Sequence, residues 1–567
     1  MNCVSKTLLP GIVCLFYVGV SLSGNAQPPE QIAPTEWRSD LHYFQQLIHT
    51  KYSNLFYNVT AKQFDSVVAA IDKKIGTLGD VQMNVEFAKL VAMFKVGHTM
   101  VRQRAGTGDN LSPWVHPVPV RFYLFSDGLY IKSIDAKYED AAGGKVTKIG
   151  TTDIATALQK IRPAIAFENE QGFKNMLQYY LNIPEYLQAV GIIDDAKKVA
   201  ITYLKDGKEK SITLQAENMP QPAGHGPGAS ADWVDAYEGI NDSNAPLWLK
   251  EPGKLRYFEY LPESKTVYVK HSAVQDEPGQ TIADFFAKLF RFVDSNDVDK
   301  LILDIRLNGG GNNYLNKPVI TGIIQAKKIN RKGHFFIITG RETFSAAQNL
   351  TNELEKYTEA IFAGEPTSEN VNFFGDTRTE VLPNSKLNIN LSWLWWQNLD
   401  PRDKRKWTAP QLAADLSSDD YKKGIDPAMN VIMNYKAEGS IDEQLRNMVL
   451  AGKYDEAVAA AKQYLADPLH RYYKDDLETK VNDFGYRLMN QNKFEQANRV
   501  LHMNVQLFPE SANAYDSYAE SWWKLGNKEE AIKYYKIAMS KDPNGVTGEN
   551  AKKMLEQIQG KDDKKGF

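Results

Sequence analysis

One stretch, Leu301 to Leu350, restricts the fold more than any other. Leu301–Ile305 is a short apolar run whose only charge is Asp304. Such a run reads as a strand buried on both faces. It runs into Asn308-Gly309-Gly310-Gly311, a loop almost bare of side chains. Glycines there permit positive φ and let backbone N–H groups approach a ligand closely. A second buried strand, Phe335–Thr339, leads through Gly340 to Ser345. Ala346, Ala347, Leu350, Leu354 and Tyr357 follow at helical spacing. Ser345 is therefore expected where a helix begins, among unpaired N–H groups and at the positive end of the helix dipole. A glycine loop offering N–H donors beside such a serine has the parts of an acyl-transfer site. The same features also serve plainer ends: a serine at a helix start as an N-cap, a glycine triplet after a strand as a turn.

The 567 residues are enough for several domains, each with its own core. With 43% hydrophobic and 24% charged residues the composition is globular, and a net charge of −3 argues against a nucleic-acid surface. Residues 1–26 read as a secretory signal. Lys6 is their one charge, Leu8–Val20 is apolar but too short to span a bilayer, and Gly24 and Ala26 precede a cut before Gln27. A membrane anchor is the alternative reading. Cys3 and Cys14, the 2 cysteines of the chain, both fall in this segment. The mature chain would then carry no disulfide, thiolate nucleophile or Cys-bound metal. Covalent catalysis would have to use Ser, Thr, Lys or a carboxylate. No later apolar run is long enough to cross a membrane. The expectation is an exported protein, periplasmic or secreted, working without cofactor or metal.

Residues 33–105 read as an N-terminal helical domain. Trp37, Leu41, Phe44 and Ile48 share one face; Phe64, Val67, Val68, Ile71 and Ile75 another; Met83, Phe87, Leu90, Val91 and Phe94 a third. His98 follows directly after the Gly97 stop. A histidine there can simply complement the helix dipole, or it can act as a general base. Residues 106–218 read as a mixed sheet-and-helix module. Val118–Phe125 and Leu129–Ile134 flank Ser126-Asp127-Gly128, and Lys198–Leu204 and Glu209–Leu214 flank Asp206-Gly207, as hairpins. Residues 219–250, rich in Pro and Gly, read as a linker. A core over 251–435 follows, with strands at Leu255–Tyr260 and Thr266–Lys270 and an amphipathic helix over Ile282–Val293. Trp393, Trp395 and Trp396 cluster late in this core; they could line a pocket, but burial in the core is the expectation.

Residues 436–558 contain a repeat. Ala497 to Ala531 and Pro509 to Pro543 are each 34 residues apart, the period of a helix pair, and the array resembles tetratricopeptide repeats. A third copy around Ala457 is out of register. Such arrays bind protein partners or brace a neighbour. Residues 559–567 read as a disordered tail.

Together the motifs resemble the tail-specific, or carboxyl-terminal processing, serine peptidases, in the branch of the tricorn core protease and the retinoid-binding-protein repeats. The matching segments are VGHTMV at 96–101, LDIRLNGGGN at 303–312, TGRETFSAAQN at 339–349, GEPTSENVNFFGD at 364–376 and LPNSKL at 382–387. The resemblance implies an α/β fold related to the crotonase and Clp protease superfamily, with an inserted PDZ-like module at 106–218. It puts Ser345 on the nucleophile, and Gly309 or Gly310 with the Ala346 N–H on the oxyanion hole. The processing branch takes a lysine base about 25 residues after the serine; here that position is Asn370, which cannot accept the serine proton. The tricorn-like branch takes a histidine from a segment like VGHT, which puts His98 on the base. Its carboxylate near a later Pro-Asp motif meets Pro410-Gln411 here, leaving Asp403, with Asp400, as the candidate third group.

The sequence thus leads to two expectations. One is an exported serine endopeptidase that cuts peptides or unfolded proteins with Ser345 and His98. The other is an inactive peptidase fold kept for peptide or protein binding. A phosphate-binding role for the glycine loop is disfavoured, since no Lys-Ser/Thr follows it.

Overall fold

The structure, a computed structural model, describes residues 31–102, 115–216, 232–237, 239, 245–436 and 440–560. The expected signal segment, the tail from 561 and most of the expected linker lie outside the described residues.

The central layer is a six-stranded sheet. Its order is Leu412–Ala413, Ile361–Gly364, Phe335–Thr339, Lys300–Asp304, Thr266–His271, Arg256–Leu261. All neighbours are parallel except the last pair. Successive side chains of a strand point to opposite faces. Leu301 and Leu303 accordingly join one apolar cluster with the helices Ile282–Ser295, Lys317–Gln325 and Ala346–Tyr357. Ile302 joins a second cluster with Phe336, Ile338, Ala428 and Ile432 on the other face. Burial on both sides is what the uninterrupted apolar strand runs require.

The expected N-terminal helices form as Pro34–Lys51, Ala61–Asp72 and Asp80–Ala92. Thr60 starts the second with a reciprocal capping box to Gln63. Residues 115–216 build a separate sheet ordered Val120–Phe125, Gly128–Asp135, Lys145–Ile149, Lys198–Lys205, Lys208–Gln215. Both expected hairpins are present, closed at Phe125↔Gly128 and Lys205↔Lys208. The N-terminal helices and this sheet share one continuous apolar core, which also takes in Leu382, Leu387, Ile389 and Leu391. Inside the expected linker, Trp233–Asp235 adds a strand to Gly128–Asp135. The Pro/Gly-rich flank hides that short strand from pattern reading.

A third sheet has three strands and lies beside the candidate site. Met100–Val101 pairs with Asn388–Gln397, which pairs with Asn372–Val381. The expectation that Trp393, Trp395 and Trp396 are core residues is corrected here. Trp393 is 43% exposed, and Trp395 and Trp396 are half-buried. Ile389 and Leu391 on the same strand face are fully buried, so Trp393 and Trp395 lie where the strand has run past the core.

Beyond residue 440 the chain is helical, in antiparallel neighbours such as Lys474–Asn490 with Phe494–Leu507 and Ala512–Lys524 with Lys528–Lys541. The periodic Ala457, Ala497 and Ala531 are all fully buried, where small side chains let helices pack closely. The array meets the central sheet through the turn at 468–472. His470 Nδ1 lies 2.9 Å from Gln411 O, and Tyr472 Oη donates to the Asp415 carboxylate, 2.8 Å from each oxygen.

Candidate active site

Ser345 stands directly before the helix Ala346–Tyr357, as the sequence predicts, but its side chain does not cap that helix. Its φ is 56° and ψ −124°, a region that side-chain-bearing residues avoid at a cost of about 1–3 kcal/mol. The strain is held by its surroundings. Phe344 N donates to Asn308 O at 3.1 Å. Thr343 Oγ1 donates to Ile305 O at 2.9 Å and accepts from Gly340 N at 3.0 Å. Arg341 makes a buried fork to Glu365 at 2.9 and 2.6 Å and donates to Leu124 O at 2.7 Å. These bonds tie the serine loop to the glycine loop and to the second sheet.

The glycine loop comes very close to the serine. A Cβ on Gly310, whose φ is +99°, would lie 2.6 Å from Ser345 Cβ and 2.9 Å from Ala346 N. Asn308 shapes the turn: its Nδ2 donates to His271 O at 2.8 Å and its Oδ1 accepts from Gly310 N at 2.9 Å. This corrects one expectation. The Gly310 N–H is already engaged, so Gly310 serves by close approach, and Gly309 and Ala346 remain as candidate oxyanion donors.

His98 reaches the serine from the far end of the chain. It sits in the turn after Asp80–Ala92, where Thr99 N donates to Val96 O at 3.0 Å. Thr99 Oγ1 accepts from Ser392 N at 3.0 Å, which pins the turn to the third sheet. The imidazole lies between two rings, Phe344 at 4.3 Å and Phe373 at 5.9 Å between centroids. Its Nε2 is 3.0 Å from Ser345 Oγ. Ser345 and His98, singled out separately in the sequence, therefore meet.

The acid beside this pair is Glu369. Its Oε1 lies 2.9 Å from His98 Nδ1, although the contact is not aligned as a hydrogen bond. Its Oε2 accepts from Ser345 N at 2.6 Å. Asp403, the expected third group, is elsewhere: its carboxylate is occupied by Arg405 at 2.9–3.1 Å, and Asp400 by Arg402. Both belong to a surface turn of alternating acid and base. Glu369 stands 24 residues after Ser345, one place before Asn370, the position of the lysine in the processing branch. A search of that segment for any acid would have found it.

Burial dominates the electrostatics. It lowers the His98 imidazole to about 4, against the opposing pull of Glu168 and Asp376. It pushes the Glu369 carboxyl well up, against the Ser345 N–H that favours its charge. The low dielectric thus opposes a full ion pair at rest, and the contact strengthens when His98 takes a proton. Among the described residues no cluster of His, Cys, Asp and Glu could hold a metal ion.

No protein-family model matches the chain, and no curated protein does either. Solved structures do. Mature CPAF matches with a TM-score of 0.50 at 12% identity, over 72% of this chain and 99% of that one. The likeness is one of fold. It supports a CPAF-like α/β fold over 72% of this chain. The photosystem II D1 C-terminal processing protease matches at a TM-score of 0.34 and 12% identity, over 70% of this chain and 96% of that one. The first TPR of Spaghetti (RPAP3) matches at 0.15 and 23% identity, over 21% of this chain and 87% of that one.

Proposed function

We propose that the chain is a serine-type endopeptidase acting on peptides or unfolded proteins through Ser345, His98 and Glu369. The observation that carries the reading is the 3.0 Å approach of His98 Nε2 to Ser345 Oγ, with Glu369 against the opposite ring nitrogen. In this reading Glu369, as carboxylate, selects the tautomer with hydrogen on Nδ1. Nε2 then takes the Ser345 proton as Oγ attacks the scissile carbonyl carbon. The oxyanion forms beside Gly309 and Ala346. Since the Ser345 N–H is spent on Glu369, it does not contribute there. His98 returns the proton to the leaving amine, and water then cleaves the acyl-enzyme by the same path in reverse. A donor lost from such a hole typically costs ~10²–10³ in rate.

The missing lysine motivates the binding-only alternative, but a base and an acid are present without it. The test is labelling of the intact protein with a fluorophosphonate, together with digestion of an unfolded casein-like substrate. Labelling confined to Ser345, and lost in Ser345→Ala with digestion, is the expected result. A well-folded sample that neither labels nor digests sinks the proposal. We further propose export, from the reading of residues 1–26, and protein binding by the repeat helices.

A further inference from the structure

A second acid stands behind the triad. Glu168 lies in the segment leading into the helix Glu170–Leu177, far in sequence from Ser345. Its Oε1 accepts from Gly97 N at 3.3 Å and its Oε2 from Asn370 N at 3.0 Å. One carboxyl therefore grips the residue before His98 and the residue after Glu369. The approach is built, not incidental. Asn169 Nδ2 donates to Thr367 O at 3.3 Å and also to Lys406 O, while its Oδ1 caps the following helix at Gln171 N and Gly172 N. A Cβ on Gly172 would lie 3.0 Å from Ser368 O. At Gly97 a Cβ would lie 3.0 Å from the Phe344 ring and 3.8 Å from Glu168 Cγ. Bare backbone at both positions lets the second sheet's segment seat against the catalytic loops.

Resting on the peptidase reading above, we propose that Glu168 is a positioning residue that holds His98 and Glu369 in register and tunes the field at the imidazole. The titratable groups acting on its carboxyl are Glu369 and His98; Asp376 acts on His98 from the hairpin. Burial, then the charge of Glu369, raises Glu168 to about 8. Burial pushes both carboxyls up. Of the two, Glu369 is the better placed to carry charge, since it faces Ser345 N at 2.6 Å and His98 Nδ1 at 2.9 Å, while Glu168 faces the backbone N–H groups of Gly97 and Asn370. When Glu168 ionises, its added charge stabilises the imidazolium that forms during attack.

The experiment uses the full chain, labelled with 15N-histidine, as wild type and as Glu168→Gln, Glu168→Asp and Glu168→Ala. His98 ring shifts, assigned from His98→Gln, and the rate of fluorophosphonate labelling are followed against pH. In wild type the His98 shifts should show a second inflection near pH 8, where Glu168 titrates. The labelling rate should rise through it by roughly threefold to tenfold. Glu168→Gln should lose both steps while unfolding cooperatively. Glu168→Ala, without either N–H contact, should label roughly tenfold to a hundredfold more slowly at every pH; Glu168→Asp, too short to span both, should fall between. An inflection that persists in Glu168→Gln overturns the proposal, as does a Glu168→Gln labelling profile identical to wild type. If the serine is unreactive but the inflection is present and vanishes in Glu168→Gln, the role of Glu168 stands and the peptidase reading falls.

Discussion

A single added methyl at Gly310 is the sharpest test of the serine's surroundings. It would meet Ser345 Cβ and Ala346 N from a backbone at φ +99°. Gly310→Ala should destabilise the chain by about 1–3 kcal/mol and abolish fluorophosphonate labelling, read from urea midpoints and from the labelled fraction. Glu369→Gln keeps the shape but not the charge. Turnover should fall by roughly 10³–10⁴-fold with little change in KM, as when the acid of other Ser-His-acid triads is neutralised. The pH dependence has two limbs. With His98 lowered from 6.5 to about 4 by burial, its neutral form persists into acid, so labelling should fall only below about pH 4. Folding stability responds to the same shifts. For His98 the unfolded chain binds the proton more tightly, so its contribution is present above 6.5 and lost as pH falls through about 4. Glu168, raised from 4.5 to about 8, works oppositely: its contribution is present below 4.5 and lost as pH rises through about 8. The urea midpoint of Glu168→Gln should therefore gain on wild type from pH 5 to about pH 8 and level off above it. A constant difference would show that Glu168 does not titrate in that window.

At the scale of elements, the loop before the serine depends on a buried ion pair. Arg341 and Glu365 are 3% and 9% exposed at their side chains. Their mutual charge raises the Arg341 guanidinium and lowers the Glu365 carboxyl, against burial. Arg341→Leu leaves that carboxylate buried and alone, at a cost of about 3–5 kcal/mol. Adding Glu365→Leu should recover most of the loss in urea midpoint, because two apolar groups leave no buried charge unpaired. Strands and helices of this size were largely legible: Leu301–Ile305 and Phe335–Thr339 form at 300–304 and 335–339, since uninterrupted apolar runs bounded by glycine have few other uses. What escaped notice had no period. Trp233–Asp235 is 3 residues long, and Trp393 is exposed although Ile389 and Leu391 on the same strand face are buried. Glu369 looked like one carboxylate among 70 acidic residues; only its closeness to His98 Nδ1 distinguishes it. Glu168 is less legible still, because it acts on the backbone of two residues that carry no chemistry of their own.

At the scale of the molecule, the repeat helices rest on the central layer through Asp415, which takes Tyr472 Oη at 2.8 Å and Arg471 at 2.8 Å. Asp415→Ala should loosen this seat. Amide exchange at 468–473 should quicken, while labelling of Ser345 stays unchanged; a parallel loss of labelling would instead mean that the array supports the serine loop. The helical array was foreshadowed by its 34-residue spacing, but its mode of attachment was not, for nothing in a repeat encodes which surface it meets. The partners in the proposed chemistry also belong to this scale. His98 and Ser345 are 247 positions apart, and the ring is wedged between Phe344 and Phe373 from yet another segment. A chain still emerging from a ribosome, or threading a translocation channel, has one partner without the other. With the proposed chemistry, a protein assembled this way would stay harmless to its maker until synthesis has passed well beyond Ser345 and the folded whole has closed around it.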